Sequence, residues 1–126
     1  FHFLVKQKKF DGIDRFISSL GTRYAVYFNK KYHRVGKLFQ GVYKAVLVES
    51  EEQLLHLSRY IHLNPPPKST LPSSLPEYLG QRHTPWIKTD YVLSYFSKSN
   101  PKNNYLNFVK DYADIETIAP LTLDLV

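Results

Sequence analysis

Three consecutive prolines, Pro65, Pro66 and Pro67, dictate the layout of the chain. A proline has no backbone N–H to donate, and it pushes the residue before it out of the helical region, so a helix running into this point stops there. The Pro- and Ser-rich stretch behind the prolines extends the break to about Pro76. The chain therefore divides into residues 1–64, a linker over 65–76, a helical part over 77–112, and a tail over 113–126 that shows no clear period.

The helix that the prolines end has a legible beginning. Ser50-Glu51-Glu52-Gln53 fits a capping box, in which a serine hydroxyl and a glutamine side chain satisfy orphan N–H groups of the first turn. The spacing predicts a helix from there to about Asn64, with Leu54, Leu57 and Ile61 as an apolar stripe packed on a sheet. A second helix is predicted earlier, where Ile13, Phe16, Ile17, Leu20, Tyr24 and Tyr27 recur at helical spacing. His2 to Gln7 and Leu38 to Val48 are rich in β-branched and aromatic residues and are predicted as strands, with Gly41 marking a bulge. Beyond the linker, Thr89 is placed to cap a short helix, and Asn100-Pro101 to open another carrying Tyr105, Phe108 and Val109. The order is strand, helix, strand, helix, linker, small helices: an α+β chain.

Charge separates the two halves. Residues 1–64 hold eleven Lys and Arg against five acids, whereas residues 65–126 hold six of each. Between Asp14 and Glu49 there is no acid, while Arg15, Arg23, Lys30, Lys31, Arg34, Lys37 and Lys44 supply seven cations. An isolated lysine pair is usually a solvated face; seven cations without an intervening acid are an electrostatic footprint for a polyanion. Cysteine is absent, which excludes disulfides and thiolate metal sites. Neither an apolar run of membrane-spanning length nor a secretory leader pattern is present, so the expectation is a cytoplasmic protein with no membrane partner. The abrupt apolar start, Phe1-His2-Phe3-Leu4-Val5, reads as that of a fragment.

On the helix before the prolines, residues turn by about 100° each, so Tyr60 and Asn64 share a face one turn apart, with His56 one turn earlier. A tyrosine that attacks phosphate must lose a proton whose ordinary pKa is near 10, which calls for nearby positive charge or a metal. His2 offers one imidazole. Each piece also has a plainer meaning. A tyrosine beside an apolar helix face is more often packing than chemistry, and His33, His56, His62 and His83 lack zinc-ligand spacing. From the residues alone the reading stops near a basic nucleic-acid binder, with an interaction domain whose rings fill a core and a dimer contact as the blander reading.

The string GKLFQGVYKAVLVESEEQLLHLSRYIHLNP, residues 36–65, resembles the single-tyrosine HUH transposases, most closely the REP-associated tyrosine transposases. The opening FHFLVKQ resembles that family's strand of histidine, bulky residue, histidine, with His2 as the second histidine and the first expected just before Phe1. PEYLGQRHTPWIKTDYVLSYF and NYLNFVKDY resemble the family's C-terminal helical extension. The resemblance thus runs from Phe1 to about Tyr112, with residues 1–64 matching the later part of the catalytic core. Val42 stands where an arginine is usual, and PPPKST replaces the usual continuation after Asn64-Pro65.

What the resemblance implies is specific. The fold would be a ferredoxin-like antiparallel sheet with packed helices, partly supplied by this chain, followed by the helical extension. Tyr60 would be the nucleophile that forms a 5′-phosphotyrosine with single-stranded DNA. His2 and Asn64 would be ligands of Mg²⁺ or Mn²⁺, which grips the scissile phosphate. Lys30, Lys31, Arg34 and Lys37, joined by Gln40 and Lys44, would bind the DNA, with exposed rings stacking on its bases. The activity would be nicking and joining of single-stranded, hairpin-bearing DNA at mobile or repetitive elements. It would be carried out by a bacterial, nucleoid-associated protein, and a homodimer is compatible with it. A decayed, noncatalytic remnant that keeps the basic face is the alternative.

Overall fold

The computed structural model describes residues 1–65 and 71–111. Five helices follow one another in the described chain: α1 (Gly12–Lys31), α2 (Glu51–Leu63), α3 (Leu75–Tyr78), α4 (Asp90–Leu93) and α5 (Pro101–Lys110). The linker residues 66–70 and the tail over 113–126 lie outside the described residues. The chain forms two compact units, one of Leu4–Ala45 and one of Phe1–Phe3 with Val46–Val126.

The α+β expectation, with its ferredoxin-like antiparallel sheet, is corrected here: among the described residues there is no strand. Both segments predicted as strands, His2 to Gln7 and Leu38 to Val48, run without regular secondary structure. Their composition records a preference for a pleated, half-buried surface, and a strand exists only when a neighbouring strand completes its ladder. Without that ladder, Phe1, Val42 and Leu47 are 90%, 88% and 78% exposed. Gly41, at φ 80°, sits in a bend rather than in a bulged ladder.

The smaller unit is built on α1. Gln7, not Asp11, serves its first turn: its side-chain oxygen accepts from Ile13 N–H at 3.1 Å, while its amide donates to Phe10 O at 2.8 Å. Asp14 in the first turn and Lys30 and Lys31 in the last complement the helix dipole. The Tyr43 hydroxyl donates to Asp14, and the Phe39 ring lies 6.1 Å from that of Tyr24, so the segment after α1 is held along it. No residue of α1 is fully buried.

The larger unit has a true core. Tyr78, Val92, Leu93, Tyr105 and Val109 are buried together, with Leu54, Leu55, Leu75, Ile87, Phe96 and Phe108 packed around them. Helices α2, α4 and α5 all contact one another. The start of α2 is nearly the expected box: Ser50 Oγ accepts from Gln53 N–H at 3.1 Å, but the Gln53 side chain accepts from Glu49 N–H, at 3.0 Å, instead of Ser50. Asn100 caps α5 by accepting from Asn103 N–H, with Pro101 in the first turn. Thr89 stands at the start of α4 without a side-chain capping bond.

Tyr105 is the centre of this packing, with no exposed surface. Its ring stacks on Tyr78 at 4.9 Å and meets Phe96 and His62 edge-on at 5.3 and 5.7 Å. Burial of the ring and bonding of its hydroxyl are separable contributions. Tyr105→Phe should cost about 1–3 kcal/mol by orphaning buried polar partners, whereas Tyr105→Ala should cost about 3–5 kcal/mol by also opening a cavity. Urea denaturation of the two variants measures the split: a Tyr105→Phe variant as stable as the parent would show that the hydroxyl contributes nothing, and equal costs for the two variants that the ring contributes nothing.

Candidate functional site

Helix α2 carries the site because its two faces do different things. The buried face is Ser58, Arg59 and His62, not the Leu54, Leu57 and Ile61 stripe expected from the sequence, which is half-buried. Polar groups can occupy that face because each is bonded. Arg59 donates to the Asp111 carbonyl at 2.7 Å, and to the Phe108 carbonyl at 3.4 Å, closing the end of α5, and its guanidinium lies 4.6 Å from the Phe108 ring centroid. It also donates to His56 Nδ1 at 2.7 Å; since arginine only donates, the His56 proton belongs on Nε2. His56 is therefore engaged with Arg59 and, at 5.8 Å, with Phe108.

His62 sits in a chain of hydrogen bonds with one direction. Ser58 donates to the Leu55 carbonyl at 2.7 Å, so its oxygen receives the Tyr105 hydroxyl at 3.1 Å. The Tyr105 oxygen must then accept from His62 Nδ1–H at 2.6 Å, which leaves Nε2 to accept from the Ser74 hydroxyl at 2.8 Å. Desolvation holds the His62 pKa down to about 4, against an opposing pull from Glu77. Glu77 itself is held down to about 2, mainly by its hydrogen bond from Arg82, with burial opposing and Thr84 assisting. Arg82 reaches Glu77 Oε2 at 2.9 Å across the turn that Gly80 makes at φ 73°, and Thr84 donates to Oε1 at 2.6 Å. The sequence reading passed over this network. Ser58 and His62, four apart on one helix, were its only signal.

The reverse face of α2 presents Tyr60 and Asn64. Asn64 keeps helical angles, φ −59° and ψ −40°, although a residue before proline disfavours them. That conformation, held by its N–H to the Tyr60 carbonyl at 2.9 Å, keeps the two side chains aligned, with Asn64 Nδ2 3.5 Å from the Tyr60 hydroxyl. His2 meets Tyr60 edge-on, with ring centroids 6.0 Å apart and planes at 81°. The structure thus brings together the three residues singled out for chemistry, His2, Tyr60 and Asn64, with His2 and Tyr60 half-buried and Asn64 exposed. Among the described residues no group of three or more His, Cys, Asp or Glu is placed to hold a metal ion. His2 and Asn64 offer one imidazole and one carboxamide, fewer donors than a divalent cation would need.

The residues singled out for DNA binding belong to the other unit. Lys30, Lys31, Arg34, Lys37, Gln40 and Lys44 are all exposed. Lys30, Lys31 and Arg34 cluster at the end of α1, and Lys37, Gln40 and Lys44 follow along the next segment. No helix among the described residues is long and apolar enough to cross a membrane. Comparison with known proteins finds no match, whether to a family model, a curated protein or a solved structure.

The histidine chain generates a pH dependence. Because folding depresses the His62 pKa, its neutral form stabilises the protein fully above the unfolded value of 6.5, and that contribution is lost as pH falls toward about 4. The loss should be on the order of 3 kcal/mol. Glu77 acts below this window, where its depressed pKa makes stability fall between 4.5 and about 2. In His62→Gln, which still hydrogen-bonds but does not titrate, urea denaturation should find the slope between pH 6.5 and 4 reduced by that amount. Parallel slopes for variant and parent would refute the assignment.

Proposed function

We propose that the chain nicks and joins single-stranded DNA through a phosphotyrosine at Tyr60, as a transposase-like enzyme acting on hairpin-bearing mobile or repetitive sequences. The observation that supports this is the meeting of His2, Tyr60 and Asn64 on the outer face of α2. In the proposed reaction the Tyr60 oxygen attacks phosphorus in line as its proton leaves to water. The bond from phosphorus to the 3′-oxygen breaks, and that oxygen takes up a proton and departs as a hydroxyl. A second 3′-hydroxyl reverses the exchange and rejoins the strand, so no nucleotide cofactor is needed. Asn64, whose amide lies 3.5 Å from the phenol oxygen, can donate to a phosphate oxygen. His2 and Asn64 are the proposed protein ligands of Mg²⁺ or Mn²⁺, which when bound would draw charge from the phosphate.

A second reading is favoured by a different observation. Seven cations between Asp14 and Glu49, with no acid among them, suit a nucleic-acid binder whether or not Tyr60 reacts. The two readings part on covalent chemistry. Incubated with single-stranded hairpin DNA and Mn²⁺, the chain should form an adduct that survives denaturing electrophoresis and disappears when the metal is chelated. Tyr60→Phe should abolish the adduct while leaving DNA affinity within about twofold, since a rim hydroxyl contributes little to binding. An adduct that persists in Tyr60→Phe would sink the catalytic assignment, and salt-sensitive binding with no adduct under any metal would leave the second reading.

A further inference from the structure

Helix α1 ends in a turn that gathers rings and cations in one place. Tyr32 N–H bonds the Phe28 carbonyl at 3.0 Å, and Arg34 N–H reaches back to the Asn29 carbonyl at 2.9 Å, with His33 between them at φ 51°. This is a Schellman closure with histidine in the left-handed position that glycine usually takes. The Asn29 side chain fastens the returning strand of chain by donating to the Gly36 carbonyl at 2.8 Å. The reversal carries the Arg34 guanidinium over the Phe28 ring, 5.7 Å from its centroid. Lys31 Nζ stands between two other rings, 5.7 Å from the Tyr27 centroid and 5.4 Å from that of Tyr32.

The rings differ in exposure. Tyr24 and Phe28 are half-buried and touch each other, whereas Tyr27 and Tyr32 are 57% and 53% exposed. Hydrogen bonding to the Tyr27 and Tyr32 hydroxyls holds Lys31 between the two rings, and Phe28 packs on Tyr32 at 4.5 Å between centroids, so the exposed remainder of each tyrosine is what meets a second planar group. Rings alternating with cations suit one chemistry above others, in which phosphates go to the cations and unpaired bases stack on the rings. A duplex keeps its bases stacked inside and gains nothing from such rings, while an acidic protein surface would use the charges and ignore them.

We infer that Tyr27 and Tyr32, on either side of Lys31, form a stacking seat for single-stranded DNA, with Lys31 and Arg34 against its phosphates. The inference deepens the nucleic-acid part of the function proposed above and rests on it; it places affinity in the α1 unit, apart from the chemistry of Tyr60.

The test is fluorescence anisotropy of the full chain with labelled oligothymidylate. Tyr27→Leu and Tyr32→Leu keep apolar bulk and helix propensity without a ring; Tyr27→Phe and Tyr32→Phe keep the ring. Each leucine variant should weaken binding about tenfold, the loss expected for one stacked base. Each phenylalanine variant should bind as the parent does. Heparin, a polyanion without bases, should bind all of them alike. Leucine variants that hold oligothymidylate normally, or that lose heparin to the same degree, would overturn the inference. Ring-dependent binding without any Tyr60 adduct would leave the seat standing and remove the chemistry; an adduct with ring-independent binding would do the reverse.

Discussion

The larger unit depends on one buried tyrosine and the direction of the hydrogen bonds that leave it. The Tyr105 hydroxyl donates to Ser58 and accepts from His62, both on α2, while its ring is packed by Tyr78 and Phe96. A buried hydroxyl left without partners costs about 1–3 kcal/mol, which favours α2 lying with Ser58 and His62 facing α5. Arg59 adds a second tie by closing the last carbonyls of α5. With that face committed, Tyr60 and Asn64 are left on the other side. The placing of Tyr60, half-buried against His2, is thus a consequence of what the core demands of its neighbours on the same helix.

The two units divide the chemistry by type. The larger unit holds a hydrogen-bonded polar core and a phenol beside an imidazole and a carboxamide. The smaller unit holds exposed cations, exposed rings and a helix with no buried residue. The first is suited to fixing a reactive group, which needs rigid neighbours. The second is suited to attracting a flexible polyanion, which needs charge and open ring faces.

Local readings held at α2 and at the start of α5, though not at Thr89, which makes no side-chain capping bond. The extent of α2, its Ser50 cap, the stop at Asn64 and the Asn100-Pro101 start of α5 all follow from contacts within a few residues, and the structure has them. The juxtaposition of Tyr60 and Asn64 follows equally from helical spacing. The strands did not follow, because a ladder is a relation between segments: β-branched residues in Leu38 to Val48 state a preference that only a partnered neighbour can satisfy. The buried face of α2 was misjudged for a related reason. Leu54, Leu57 and Ile61 are the more apolar residues, yet Ser58, Arg59 and His62 are the ones with partners waiting across the interface.

By itself the sequence determined where α2 begins and ends and where α5 begins, how charge is distributed, and which side chains share a helix face, since these depend on neighbours along the chain. Tertiary structure alone decided that the described chain is helical without a sheet, that a histidine and two serines join a tyrosine forty-three and forty-seven residues from its helix partners, and that His2 lies against Tyr60. The physical reason is that a buried polar group is tolerated only where distant residues supply its hydrogen bonds, and no local pattern announces which ones will arrive.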